Sequence, residues 1–97
     1  MRVIKLRTLK QFWLEKPDAE NALKAWYAEA RAAEWRSPAD IKEKFRSASI
    51  LQDSRVVFNI CGNKYRLIVK VIYPFPTIYI RFIGTHKEYD AINAEEI

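Results

Sequence analysis

Residues 55–85 read RVVFNICGNKYRLIVKVIYPFPTIYIRFIGT. Apolar and polar residues alternate through three runs, RVVFNIC, KYRLIVKVIY and IYIRFIG, with the period of a half-buried β-strand. Gly62 and Asn63 separate the first two runs. Glycine first in a two-residue loop suits a type II′ hairpin turn. That turn sets Cys61 opposite Lys64, and so Asn59 opposite Arg66, Val57 opposite Ile68 and Arg55 opposite Lys70. Pro74–Thr77, PFPT, supplies the second turn. Pairing Tyr73 with Ile78 across it sets Lys70 opposite Arg81 and Arg66 opposite Thr85.

This register sorts the side chains onto two faces. One carries Val56, Phe58, Ile60, Tyr65, Leu67, Val69, Val71, Ile78, Ile80 and Phe82, the expected core face. The other carries Arg55, Asn59, Arg66, Lys70, Tyr79 and Arg81, with Val57, Ile68 and Ile83 among them. Arg55, Lys70 and Arg81 form a row across three strands. Like charges opposite one another destabilise a sheet, and no carboxylate shares this face in the expected pairing. An anion such as a polyphosphate backbone relieves the repulsion, because guanidinium groups bind phosphate oxygens in pairs. The competing reading is a half-exposed sheet with its polar residues outward.

Upstream the period changes. Residues 2–7, RVIKLR, suit a short strand, and Thr8 with Gln11 resembles a capping box that starts a helix near Leu9. Pro17 interrupts it. From Asp18, Leu23, Trp26, Tyr27, Ala30 and Ala33 recur at helical spacing. Ser37 and Pro38 signal another helix, ending near Phe45, and residues 47–54 read as a loop. Trp13, Trp26 and Trp35 are expected in helix packing, with Trp35, at a helix end, as the exception. A strand, helices and a three-stranded antiparallel meander make an α+β fold with the helices on one sheet face.

The 97 residues suit one domain, spanning 1–97. Seventeen Lys and Arg against twelve Asp and Glu give a net charge of +5, which favours an anionic partner. Cys61 is the only cysteine and His86 the only histidine. They support neither an intrachain disulfide nor a structural zinc, so no metal or cofactor is expected, and a reducing cytoplasm suits the chain. The first residues lack the apolar stretch of a signal peptide. No apolar run reaches the roughly 18 residues of a membrane span, so no membrane partner is expected.

Two stretches, VVFNICGNKYRLIVKVIY and YIRFIGTHKEYD, together resemble the HigB branch of the RelE superfamily, the toxins of bacterial type II toxin–antitoxin pairs. The resemblance implies a RelE-like α+β endoribonuclease that cleaves mRNA, commonly in the ribosomal A site. It also implies a helix-turn-helix antitoxin of the HigA kind. Arg66 and Arg81 match the strand arginines of the family, and His86, Lys87, Tyr89 and Asp90 match its ending. One departure stands out. RelE-like toxins carry lysine, or in HigB relatives also histidine, around the loop entering the first meander strand. Here LQDSRVV offers only Arg55, which stays protonated and serves poorly as a base.

The implied chemistry is metal-independent. A base takes the ribose 2′-OH proton, the oxygen attacks the adjacent phosphorus, and the 5′-oxygen leaves. His86 suits the base or acid, since histidine is the side chain that titrates near neutrality. Arg66 and Arg81 suit the transition-state charge. Tyr89 suits stacking or proton donation. Arg55, Asn59, Lys70, Tyr79 and Lys87 suit RNA or phosphate binding. The alternative is a module that binds antitoxin or nucleic acid without cleavage.

Overall fold

The computed structural model describes residues 1–97. Its elements are β1 (Arg2–Ile4), α1 (Leu6–Glu15), a 3₁₀ turn (Pro17–Ala19), α2 (Glu20–Ala32), α3 (Pro38–Lys44), β2 (Ser49–Ile50), β3 (Arg55–Ile60), β4 (Tyr65–Ile72), β5 (Thr77–Thr85) and α4 (His86–Asp90). The expected α+β order is present, but the sheet is wider than the meander. Five strands run β1-β5-β4-β3-β2. β1 lies parallel to β5, with Val3 beside Ile78. Within the expected loop 47–54, Ser49 and Ile50 pair with Val57 and Val56.

Helix α1 begins at Leu6, three residues before the expected start. Lys5 precedes it in the left-handed region, φ 69°, with no side-chain cap, so Thr8 and Gln11 lie inside the helix. The Ser37–Pro38 signal does open α3, where proline sits in the first turn and has no N–H to leave unpaired.

The β3–β4 hairpin has the register its turn dictates: Asn59 faces Arg66, Phe58 faces Leu67 and Arg55 faces Lys70. The Lys64 N–H closes the turn on the Cys61 carbonyl at 3.2 Å, and Gly62 takes the positive φ, 66°, that glycine tolerates. Asp18, on the 3₁₀ turn, holds this hairpin. It pairs with Lys64, accepts from the Tyr65 hydroxyl at 2.7 Å, and its carbonyl accepts from the Cys61 thiol at 3.1 Å. Hydrogen bonds from Lys64 and then Tyr65 hold the Asp18 carboxyl below the usual range.

The β4–β5 pairing differs from expectation at both ends. The turn is Tyr73–Pro76, and Thr77 is already in the strand opposite Ile72. Lys70 therefore faces Tyr79, not Arg81. A bulge then intervenes. Val69 faces Ile80 but Ile68 faces Phe82, so Arg81 is the extra residue and stands opposite none. Beyond it Arg66 faces Gly84, not Thr85. The odd shift exchanges faces: Ile83 packs against the core, and Phe82 moves to the face of Ile68.

The helices cover the other face of the sheet. Leu9, Leu23, Trp26, Ala30 and Ile41 meet Val56, Phe58, Leu67, Val69, Val71, Ile78 and Ile80 in one core. Phe58 is its aromatic centre. Its ring meets Trp26 at 5.4 Å, Phe45 at 5.0 Å and Trp35 at 6.3 Å. Trp35, expected as the exception to that packing, is buried there. Apolar area removed from water stabilises by about 25 cal/mol per Å², so these large side chains carry much of the fold. No helix is long and apolar enough to cross a membrane.

Candidate nucleic-acid interface

The sheet face away from the helices carries the cationic residues, and it is not a bare surface. Val57 and Ile68 on it are buried, and so is Arg55, at 7% exposure. Two neighbours account for Arg55. Its Nη1 donates to Asp53 Oδ2 at 2.8 Å, and its Nε donates to the main-chain oxygen of Ile97 at 2.9 Å. Lys70 also reaches Asp53, at 3.3 Å. The expected face without a carboxylate is therefore corrected. Asp53 and Ser54 adopt positive φ, 57° and 61°, in the turn entering β3, and Asp53 meets both cations. Hydrogen bonds from Arg55 and then Lys70 lower the Asp53 pKa.

Arg81 donates from Nε to the same Ile97 oxygen, at 3.3 Å. The bulge places it there: the alternation of β5 breaks at this residue, and its side chain reaches the acceptor that Arg55 reaches from β3. The expected row Arg55–Lys70–Arg81 is thus replaced. Arg55 and Lys70 share Asp53, while Arg55 and Arg81 share Ile97.

A second cluster forms where β4 begins and β5 ends. Arg66 lies over the Tyr89 ring, 6.0 Å from its centroid. Its Nη1 donates to the Asn63 carbonyl at 2.9 Å and the Tyr65 carbonyl at 3.3 Å, which aims the guanidinium toward the hairpin end. Tyr89 belongs to α4, whose start is tightly fixed. Thr85 Oγ1 accepts from the Glu88 N–H at 3.1 Å, and Glu88 Oε1 accepts from the Thr85 N–H at 2.8 Å. This is the chain's capping box, and it lowers the Glu88 pKa through the Thr85 backbone bond. The His86 N–H also donates to the Lys64 carbonyl, at 3.3 Å. Gly84 permits the close approach beneath: an added Cβ would stand 2.6 Å from Phe82 Cζ.

His86 opens α4, and its Nδ1 lies 3.1 Å from Asp90 Oδ2 one turn on, both more than half exposed. Lys87 is exposed beside it. Asn59 faces Arg66 across the hairpin, and its amide donates to the Ser47 carbonyl at 3.3 Å. Tyr79 is exposed next to Lys70, toward the opposite end of β4. The structure therefore gathers Arg66, Tyr89, His86 and Asp90 around the α4 end, and Arg55, Lys70 and Arg81 around Asp53 and Ile97. No three His, Cys, Asp or Glu side chains converge as a metal site.

Sequence reasoning missed Asp53 and residues 91–97. Asp53 carried a signal, a carboxylate two residues before Arg55 on the same turn. The tail carried none, because its contact spans 42 residues of chain to Arg55.

Comparisons with known proteins agree with this architecture. The family model HigB_toxin, a RelE-like toxic component of a toxin–antitoxin system, matches residues 19–92. The chain is 30% identical over 96 residues to the mRNA interferase toxin HigB of Escherichia coli strain K12, covering 97% of this chain and 92% of that protein. The same identity and coverage hold for the mRNA interferases HigB of Escherichia coli O157:H7 and Shigella flexneri. With its family model matched from α2 through the meander to α4, the chain belongs to the HigB toxin family, the RelE-like toxic components of toxin–antitoxin systems.

Proposed function

We propose that this HigB-family toxin cleaves mRNA in the ribosomal A site, within the cytoplasm, and is neutralised by a HigA-like helix-turn-helix antitoxin. The observation that carries the reading is the α4 end of the sheet. There a permanent cation, Arg66, lies against a phenol, Tyr89, and an imidazole, His86, opens the same short helix. General acid–base cleavage of a phosphodiester needs those three chemistries. His86 takes the ribose 2′-OH proton, with Asp90 orienting the ring. The 2′-oxygen bonds to phosphorus, and Arg66 and Arg81 neutralise the added charge. The 5′-oxygen leaves with a proton from Tyr89. The products are a 2′,3′-cyclic phosphate and a 5′-hydroxyl, and no step uses a metal ion. Lys87, Lys70, Asn59 and Tyr79 offer contacts to the flanking RNA.

Induced expression in a growing bacterium tests this directly. Growth arrest is expected, with mRNA cut within translated regions and ends bearing 2′,3′-cyclic phosphate. Cleavage by the purified protein on translating ribosomes should persist in EDTA. Normal growth with intact mRNA favours the second reading, a module that binds antitoxin or RNA without cutting. One observation supports that alternative: Arg55, the only basic residue in the segment entering β3, is buried against Asp53 and Ile97.

A further inference from the structure

The groups at the α4 end hang on one short stretch of main chain. Three consecutive carbonyls, those of Asn63, Lys64 and Tyr65, accept hydrogen bonds there. Arg66 Nη1 donates to the first at 2.9 Å and the third at 3.3 Å, and the His86 N–H donates to the second at 3.3 Å. The same stretch is held from the other side by Asp18, on the 3₁₀ turn before α2. Its carboxylate meets Lys64 and the Tyr65 hydroxyl, and its carbonyl accepts from the Cys61 thiol. Asp18 is the one carboxylate that Lys64 pairs with. Tyr65 has a second anchor, since its ring is buried and meets Phe12 edge-on at 5.1 Å. Without Asp18 the hairpin therefore keeps its place on the core, while residues 61–64 gain freedom. Asp18 carries the same sign of charge as RNA, so it adds nothing to phosphate binding.

We propose that Asp18 is a positioning residue for RNA cleavage. Through Lys64, Tyr65 and Cys61 it fixes the three carbonyls that orient Arg66 and hold the start of α4. The proposal rests on the RNA-cleaving reading above. Arg66 lies over the Tyr89 ring, and His86 opens the helix that carries Tyr89. A shift of the hairpin end therefore moves the cation relative to the phenol and the imidazole. Misplacing a reacting group by about 1 Å costs on the order of 10² in rate. RNA binding through Lys70 and Tyr79, toward the opposite end of β4, is untouched by that shift.

The test is single-turnover cleavage of mRNA on ribosomes, with rates scaled to the folded fraction. It compares the parent, Asp18→Asn, Arg66→Lys and the double variant. Asp18→Asn should slow the cleavage step about tenfold or more, with the half-saturating concentration held within about twofold. Arg66→Lys keeps a cation but loses the fork that reaches Asn63 and Tyr65. In that background Asp18→Asn should cost only about threefold or less, because the two residues act through the same carbonyls. Equal costs in both backgrounds overturn the proposal, as does a parent-like rate in Asp18→Asn. Tyr65→Phe serves where Asp18→Asn does not fold. It keeps the buried ring, deletes one bond to Asp18 and should slow cleavage about threefold or more at unchanged affinity. A parent-like rate in Tyr65→Phe then overturns the proposal. A parent that cuts while both variants cut equally well overturns the role of Asp18 alone. A parent that cuts no mRNA overturns the RNA-cleaving reading and this proposal with it.

Discussion

At the scale of single residues, Arg81 shows how one insertion changes what a side chain does. It occupies the β5 bulge and is exposed, so removing it costs little packing. Arg81→Ala should lower mRNA cleavage by about 10² to 10³, the usual effect of losing a transition-state charge contact. Its stability should stay within about 0.5 kcal/mol of the parent in a thermal melt. No gain from relieved repulsion is expected, because Lys70 faces Tyr79 instead. A folded Arg81→Ala protein that still arrests growth removes this residue from the chemistry. His86→Gln should slow cleavage by about 10² or more, as loss of a general base does. Tyr89→Phe keeps the ring beneath Arg66 and deletes only the hydroxyl. A slowed cleavage step assigns Tyr89 a proton; an unaltered one leaves it as a stacking surface.

At the scale of elements, two junctions set the site. The first is β5 into α4, where Gly84 lies under the Phe82 ring. Gly84→Ala forces that ring aside and should destabilise by about 1–3 kcal/mol, as overpacking does. Adding Phe82→Leu should recover much of the loss in a denaturant titration; no recovery would place the strain elsewhere. The second junction is Asp18 on the hairpin. Its folded-state pKa lies below its unfolded value because Lys64 and Tyr65 donate to the carboxylate. The stability it adds is therefore fully present above the unfolded value of about 3.9 and lost as pH falls through the folded value. The stability gap between the parent and Asp18→Asn should be constant near neutrality and close in strong acid. A gap that persists in acid would mean the latch does not act through ionised Asp18.

At the scale of the whole molecule, one core supports both faces of the sheet. Phe58 stands at its centre and Leu67 is its strand partner. Phe58→Ala should cost about 3–5 kcal/mol and Leu67→Ala about 2–5 kcal/mol, large fractions of a total near 5–15 kcal/mol. Either variant melting like the parent would contradict the core assigned here. The helix-side face was legible in the sequence as far as Ile80, because period-two alternation reports burial directly, residue by residue, where no bulge intervenes. The β3–β4 register was legible too, because a two-residue turn leaves the chain no freedom to slip. The candidate residues of α4 were legible as a cluster, since they are neighbours along the chain. The β4–β5 register was not, because a four-residue loop closes at more than one offset, and alternation on either side of a bulge looks regular. The positions of Arg81, Phe82 and Ile83 followed from that one insertion. β1 beside β5, Asp53 under Lys70 and Ile97 between Arg55 and Arg81 likewise depend on contacts between segments far apart in the chain or across a turn. Sequence determined the periodicities and the local turns, where neighbours in the chain set each other's geometry. Tertiary structure alone decided which distant groups share a charge or an oxygen, because those pairings are chosen by how the whole sheet twists and packs.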